Sequence, residues 1–334
     1  MKKVEVLAPA GNLPSLKAAV DHGADAVYFG FRNATNARNF EGLNFSESEA
    51  ATGIEYAHSK GAKVNIVLNT YPQGAESAIW YQTVDMAARL KADAIILANI
   101  ALLDYCHSRY PWLPIHLSVQ ASASNAEAIN FYQKHFHCTR VVLPRVLTVQ
   151  EIRRLRARTT VELEVFAFGG LCVMAEGRCF LSSYTTGVSP NTEGVCSPAR
   201  AVRFENRGEK LQTRLGGVLI AEYDKGEDAA YPTICKGRFS ANDQVYHVME
   251  EPGSLNILEM LDDVIEAGVS SLKIEGRQRT KSYVATVTEV LRQAVDAYYE
   301  APQTFRPKSK WIRTLNATSE GTTHTLGTYQ ENWQ

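Results

Sequence analysis

The sequence lacks a long hydrophobic run, and it lacks an excess of charge of either sign. No stretch approaches the roughly 18 apolar residues that cross a membrane, and the opening MKKVEVLAPAGNL has too short an apolar run for a signal peptide. The formal net charge is −1, which gives no overall field to attract nucleic acid or an anionic membrane. We therefore expect a soluble cytoplasmic protein without a membrane span, in which cysteines stay reduced and nucleic acid is an unlikely partner.

Several catalytic signatures are also missing. No glycine-rich dinucleotide-binding motif follows the first predicted strand, so an open doubly wound sheet is only the alternative fold. The serine-hydrolase elbow, the zinc-peptidase helix motif and the phosphate-binding loop are absent. A peptidase would need a nucleophile or a metal that the sequence does not display.

Short apolar, β-branched runs alternate with helical stretches along the chain. The first seven runs begin 21 to 37 residues apart, which is the spacing of strand–helix units in a parallel sheet. The eight runs begin near Val4, Ala26, Lys63, Ala94, Ile115, Arg140, Leu163 and Ser271. Gly23 and Gly268 stand where helix ends need a left-handed residue. The pattern predicts an α/β fold, a (β/α)8 TIM-like barrel, with a last helix around 282–299.

One long insertion interrupts this repeat. We divide the chain into barrel strands one to seven (1–168), a cysteine-bearing insertion (169–268), strand eight with the last helix (269–301), and a C-terminal tail (302–334). The insertion is rich in Gly, Ser, Thr and Pro, and it lacks helical periodicity. It begins at the C-terminal end of a strand, where barrel enzymes keep their active sites. We expect the polar tail to wrap over the surface.

Four of the six cysteines lie in the insertion, in the pattern C-x6-C-x16-C-x38-C. They are Cys172, Cys179, Cys196 and Cys235. Four thiolates from a loop-rich segment suit a structural zinc or an iron–sulfur cluster, and the wide spacing favours the cluster; simple packing is the third possibility. The cations that could offset the charge of a cluster are Arg178, Arg200, Lys236 and Arg238. We expect Cys106 and Cys138 to be packing residues.

Polar residues alternate with apolar ones in several predicted strands, so they should point into the barrel. The catalytic candidates are Glu164, Lys273, Glu275 and His116, and the candidates for substrate binding are Arg38, Asn69, Gln120, Arg145 and Arg277. The loops also carry Asn36 and Arg279, the latter expected to be solvated. The competing interpretation is a satisfied internal network, such as Lys273 paired with Glu164 or Glu275.

The residues of several segments resemble one known family. The run EVFAFGGLCVMAEGRCFLSS, the opening LAPAGNLPSLKAAVDHGADAVYFG, the loop TNARNFEGLNFS and the late KIEGRQR are similar to collagenase-like peptidases. The match extends over nearly the whole chain. Within that family, LCVMAEGRCFLSSYTTGVSPNTEGVCSPAR and CKGRF look most like the branch that hydroxylates ubiquinone precursors without oxygen. Many peptidase relatives carry His where this chain has Phe168, which puts the peptidase activity in doubt.

The resemblance implies a cofactor, a partner and a reaction. It implies a 4Fe-4S cluster on the four cysteines of the insertion, and a heterodimer with a related V subunit. The heterodimer would hydroxylate the ring of a ubiquinone precursor, with prephenate as hydroxyl donor. Further partners would be a lipid-binding accessory protein and other ubiquinone-synthesis enzymes. Prephenate, a dicarboxylate, would suit a mouth lined by Arg38, Arg145, Lys273 and Arg277. The alternatives are hydroxylation of a tRNA or rRNA base, as in other relatives, a peptidase activity, and a non-catalytic scaffold.

Overall fold

The computed structural model describes residues 3–73, 77–172, 174 and 179–330. The strands are, in chain order, β1 (Glu5–Pro9), β2 (Ala26–Phe29), β3 (Lys63–Leu68), β4 (Ala94–Leu97), β5 (Ile115–Leu117), β6 (Cys138–Val142), β7 (Glu162–Gly170), β8 (Val202–Arg207), β9 (Lys210–Leu215), β10 (Val218–Tyr223), β11 (Arg238–Ala241), β12 (Gln244–His247), β13 (Ser254–Asn256), β14 (Ser271–Ile274) and β15 (His324–Thr325). The α-helices are α1 (Leu13–Asp21), α2 (Glu47–Ser59), α3 (Ala78–Arg89), α4 (Ile100–Arg109), α5 (Ala126–Phe136), α6 (Val149–Arg156), α7 (Phe180–Thr186), α8 (Pro190–Glu193), α9 (Leu261–Glu266), α10 (Lys281–Glu300) and α11 (Ser309–Thr318).

Eight of these strands form a closed parallel barrel. Strands β1 to β7 pair in sequence order, and β14 completes the ring by pairing with both β1 and β7. The register places Leu7 opposite Lys273 on one side and opposite Ala26 on the other. Helices connect successive strands, so the predicted (β/α)8 barrel is confirmed, and each predicted strand start lies within a few residues of the observed one.

Helix starts and ends follow local chemistry. At the start of several helices a side-chain oxygen accepts a backbone N–H of the first turn, which satisfies a donor that the helix leaves unpaired. These N-cap residues are Asn12, Ser46, Asn99, Asn125 and Thr148. Gly23 and Gly268 adopt the positive φ angles of 91° and 85° that were predicted for helix ends.

The strands have two differently filled faces. Their outward side chains and the helices form one large apolar core, which also contains Cys106 and Cys138, as predicted. Burial raises the pKa of each of these two thiols to about 12. A separate small apolar cluster comes from the alternate strand positions, which face the lumen: Leu7, Ala26, Tyr28, Val67 and Ile96. The lumen is therefore apolar on one side, which leaves the other side for polar groups.

The insertion contains small structural units of its own. Strands β8, β9 and β10 form an antiparallel sheet, and β11 and β12 form a hairpin. Short helices α7 and α8 also form, although the sequence shows no helical periodicity there. The chain then returns through β13, which pairs antiparallel with the end of β7 beyond the barrel. This pairing attaches the insertion to the barrel at its C-terminal mouth.

The tail is more than a surface wrap, so that expectation was wrong. Helix α11 buries Trp311 and Leu315, and β15 extends the sheet beside β13. The buried Tyr329 hydroxyl donates a hydrogen bond to the carbonyl of Phe166 at 2.8 Å. Apolar residues at helical spacing on α11 explain the docking. None of the described helices combines the length and apolar character that a membrane crossing requires.

Candidate functional site

A network of charges fills the polar side of the lumen. Lys273 Nζ donates to Glu164 Oε1 at 2.7 Å, and Arg140 Nη1 donates to Glu164 Oε2 at 3.2 Å. Arg140 also pairs with Glu5 at 2.5 Å and Glu162 at 2.7 Å. Glu164 has no solvent exposure at all. The network satisfies charges that would be costly to bury alone, so the satisfied-network interpretation is correct for Lys273, and its partner is Glu164.

Burial lowers the pKa of Lys273, and the neighbouring Glu164 carboxylate partly offsets this effect. The Lys273 ammonium also lies 4.0 Å from the centre of the Tyr28 ring. The Tyr28 hydroxyl donates to the carbonyl of Ile274 at 2.7 Å. Lys273 is therefore held from two sides, by a carboxylate and by an aromatic face.

Arg277, at the mouth, is bound to the loop that follows β2. Its Nη1 donates to Asn36 Oδ1 at 2.8 Å, and its Nη2 donates to the carbonyl of Ala37. Burial lowers the pKa of Arg277 to about 10. Asn69 binds the same loop, because its Oδ1 accepts the Ala37 N–H at 2.9 Å. Arg277 and Asn69 thus have structural partners, and a role in substrate binding stays a prediction for both.

Glu275 lies at the same mouth, beside two cations. Its Oε1 accepts a hydrogen bond from Arg38 Nε at 3.1 Å, and its Oε2 accepts one from the Gly170 N–H at 3.3 Å. Burial alone would raise the pKa of Glu275, but Arg38 and Arg145 outweigh it and hold this pKa below its usual range. Arg145 itself covers the ring of Phe166 at 3.5 Å. Glu275 is therefore a buried, ionised carboxylate.

Two candidates keep hydrogen-bonding capacity that the described residues do not use. His116 Nδ1 and Gln120 Oε1 are buried and have no hydrogen-bond partner in the described part of the chain. Burial lowers the pKa of His116 well below its usual value, and Arg140 and Lys273 add to this effect, so the ring is neutral near pH 7. Buried polar atoms usually bind a protein group, water or a ligand, so each of these two atoms can take one further hydrogen bond.

The four cysteines of the insertion come from three separate loops. Cys172 follows β7, Cys179 is the N-cap of α7, Cys196 follows α8, and Cys235 lies on a short turn before β11. Helix α7 contacts the turn that contains Cys235. Cys172 is exposed, and the other three are partly buried.

The thiols influence each other electrostatically. Burial raises the pKa of Cys235 to about 12, with added contributions from Cys172, Cys196 and Cys179. All four therefore lie in one neighbourhood, at the barrel mouth. Among the described residues they are not close enough to bind a single metal ion as a group of three or more. Four thiols are a donor set that either zinc or an iron–sulfur cluster accepts, so the choice between the two groups stays a prediction.

Of the predicted cations, Lys236 acts on Cys235 and lowers its pKa, although burial and the other thiols outweigh this effect. Lys236 pairs with Glu320 at 2.9 Å, and Arg238 pairs with Glu227 at 2.6 Å. Arg200 lines a cleft on the β8–β10 sheet, and Arg178 lies outside the described residues. The cation beside Cys172 and Cys196 is instead Arg38, whose pKa is raised by both thiolates and by Glu275 against the opposing effect of burial.

Two residues of the site were missed from the sequence. Arg140 connects three carboxylates, and Tyr28 supports Lys273 and Arg277 with its ring. Both occupy inward strand positions, so the alternation within RVV and AVYF was the available signal. Phe168 is fully buried, and the centre of its ring lies 6.0 Å from that of Tyr283.

Comparison with known proteins gives a family match and several relatives. The family model described as Peptidase family U32 matches residues 11–332. The tRNA hydroxylation protein P1 of Bacillus subtilis is 33% identical over 315 residues, which cover 94% of this chain and 68% of that protein. A collagenase of Porphyromonas gingivalis is 28% identical, covering 93% and 70% of the two chains. The 23S rRNA 5-hydroxycytidine synthase of Escherichia coli is 30% identical, covering 89% of this chain but 40% of that protein.

Proposed function

We propose a function for this chain, which belongs to peptidase family U32: it is an iron–sulfur subunit of an oxygen-independent hydroxylase. The observation that carries this proposal is the gathering of Cys172, Cys179, Cys196 and Cys235 beside the barrel mouth. Relatives whose names describe hydroxylation of tRNA and rRNA support the reaction class. The family name and the collagenase relative suggest a peptidase, but the residues that the structure describes in the lumen make no hydrogen bond between a nucleophile and a histidine base.

The four thiolates would bind a 4Fe-4S cluster, which supplies electron transfer when it is bound. The remaining residues of the site hold and orient the reactants. Neutral His116 can accept or donate a hydrogen bond, and Gln120 Oε1 can accept one. We propose that these two atoms bind the hydroxyl-bearing reactant, which the sequence resemblance suggests is prephenate. Lys273 and Glu275 would keep the pocket charged while remaining paired with Glu164 and Arg38.

The substrate has two candidates. The names of the relatives favour an RNA base. A cleft of about 510 Å³ supports this class, because Arg200 and Arg203 line it and arginines bind phosphates; Arg207 and Arg214 also line it but pair with Glu205. A ubiquinone precursor is favoured by the sequence resemblance of the cysteine segments. We propose the ubiquinone precursor and keep the RNA base as the second candidate.

A partner subunit is part of the proposal. Of the fourteen large apolar side chains that are exposed in the described chain, ten lie within 169–268. Phe180 and Tyr184 on α7, beside Cys179, are 80% and 95% exposed. Apolar patches of this kind mark protein contacts. We propose that the related V subunit covers this surface and that both chains are needed for activity.

The cluster is tested by purification under nitrogen, with iron and sulfide quantified and a visible spectrum recorded. The protein should hold about four iron and four sulfide per chain. Substitution of any one of the four cysteines by Ser should remove the visible absorption, whereas Cys106→Ser and Cys138→Ser should keep it because these thiols lie in the apolar core. A folded protein with zinc or without metal would refute the cluster.

The substrate is tested in a deletion strain grown without oxygen. Loss of ring-hydroxylated quinone with intact RNA modification would support the ubiquinone precursor. Normal quinone with hypomodified tRNA or rRNA would establish the RNA base instead. Complementation with Gln120→Ala should restore less product than complementation with Arg32→Ala, whose side chain lies in an exposed ion pair with Glu49.

A further inference from the structure

The loop after β2 touches both the barrel mouth and the cysteine segment. Arg38 in this loop has a positive φ of 70°, which is unfavourable for a residue with a large side chain. Two contacts hold it: the Arg38 N–H donates to the carbonyl of Gly194 at 2.7 Å, and Asn44 Nδ2 donates to the Arg38 carbonyl at 3.1 Å. The loop is therefore fixed against the residues that precede Cys196.

Gly194 fits against this loop only because it has no side chain. A Cβ atom at Gly194 would lie 2.3 Å from the carbonyl oxygen of Asn36, and its φ is +78°. The next loop along the barrel adds a second contact, because the Tyr71 N–H donates to the carbonyl of Asn191 at 2.8 Å. The segment leading to Cys196 thus has a defined position on the mouth.

The Arg38 side chain reaches the other cysteine loop through Glu275. Glu275 accepts from Arg38 and from the N–H of Gly170, two residues before Cys172. Gly169 packs against Glu275 so closely that an added Cβ would lie 2.7 Å from the Glu275 Cβ. The ion pair therefore connects a point two residues before Cys172 with a point two residues before Cys196.

We propose that Arg38 and Glu275 form a positioning pair, which holds the Cys172 and Cys196 loops on the barrel mouth and sets the charge that the metal centre experiences. The second part rests on the proposed function, because it requires the cluster. The first part concerns the polypeptide alone. Arg38 would then act on the cysteines and not on substrate.

The charge is tested by redox titration of the loaded protein, followed by electron paramagnetic resonance. A reduced cluster carries one more negative charge, so the Arg38 cation should favour reduction. At a fixed potential, Arg38→Gln should lower the ratio of reduced to oxidised cluster about tenfold. This corresponds to a fall of about 59 mV in the reduction potential for one electron. Glu275→Gln should shift it in the opposite direction, and Arg38→Lys should stay near the wild type. The matched control is Arg89→Gln, which removes the same charge from an exposed ion pair with Glu47 and should have no effect.

The positioning is tested on the metal-free protein by amide hydrogen exchange. Arg38→Ala and Glu275→Ala should raise exchange at least tenfold in the peptides that contain Gly170 and Gly194, whereas Arg89→Ala, in an exposed ion pair with Glu47, should not. Full iron loading with unchanged exchange and unchanged potential would overturn the pair while leaving the proposed function intact. Equal shifts of the same sign in Arg38→Gln and Glu275→Gln would overturn the charge effect. Raised exchange in a protein that binds no iron would keep the positioning pair and refute the cluster.

Discussion

Replacing Glu164 by Gln would leave the Lys273 ammonium inside the barrel without its carboxylate. Both side chains are buried, and their atoms are 2.7 Å apart. Removing one member of a buried ion pair costs about 3–5 kcal/mol of folding free energy. We expect the lower end, about 3 kcal/mol, because the Tyr28 ring still faces the ammonium and the Gln oxygen still accepts a hydrogen bond. Arg140 keeps Glu5 and Glu162 as partners, so the loss is confined to Lys273.

The pH dependence gives this prediction a sign. Burial lowers the pKa of Lys273 in the folded protein, so between that pKa and the unfolded value of about 10.4 the unfolded chain binds more protons. Stability should rise with pH through this window. Without the Glu164 carboxylate, the pKa of Lys273 in the folded protein falls further, so the pH range over which stability rises becomes wider. The variant should therefore recover part of its lost stability between pH 7 and 10.

The assay is urea denaturation at both pH values, followed by circular dichroism. Glu162→Gln is the control, because this carboxylate also pairs with Arg140 but is 38% exposed, and it should cost less than about 1 kcal/mol. The double variant Glu164→Gln with Lys273→Met should be more stable than Glu164→Gln alone, because it removes the unpaired charge. A loss below about 1 kcal/mol for Glu164→Gln, independent of pH, would refute a buried ion pair in a poorly solvated lumen.

Three further predictions concern the loops and the lumen. Gly187 has a φ of +74° and open space around it, so Gly187→Ala should lower the free energy of unfolding by about 1–2 kcal/mol. Gly194 has a similar φ but lies against Asn36, so Gly194→Ala should cost roughly 2 kcal/mol more. Equal shifts of the melting temperature in the two variants would argue against the close contact. Because the pKa of His116 is lowered in the folded protein, stability should be lost as the pH falls below about 6.5, by up to about 1.4 kcal/mol per pH unit. Thermal melts at pH 7.5 and 5.5 should show a smaller loss for His116→Gln than for the wild type. Thr148→Ala should cost about 1 kcal/mol in the same melts, because it removes the hydroxyl that accepts the Glu151 N–H in the α6 capping box.

The barrel could be predicted because each strand carries its own signal. Alternation of Ile115 and Leu117 with His116 determines which side chains of β5 face the helices; the predicted alternation was wrong beyond Leu117, because Val119 and Gln120 lie on a short 3-10 turn. A register error by one residue would reverse every face, so the pattern is strongly constrained. The same local signals located the helix ends. Fold and inward polar positions therefore followed from short stretches of sequence.

The partners of the inward charges could not be predicted. Alternation places Lys273 and Glu164 in the lumen, but only the register between β14 and β7 decides that Lys273 meets Glu164 while Glu275 meets Arg38. The conformation of Arg38 depends on Gly194, more than a hundred residues further along the chain. The tail packs on the barrel through a few apolar residues of α11. The polar composition of the tail as a whole gave no indication of this packing. Long-range contacts of this kind carry no local signature.

The way the ring closes constrains the order in which the molecule assembles. β14 must pair with both β1 and β7, and it follows the insertion in the chain. During synthesis the cysteine loops therefore leave the ribosome while β1–β7 is still an open sheet with two unpaired edges. Glu275, which anchors the loop before Cys172, emerges later still. The ring can therefore close only after the whole insertion has been made, so a nascent chain carries the unpaired edges of β1 and β7 until β14 is available.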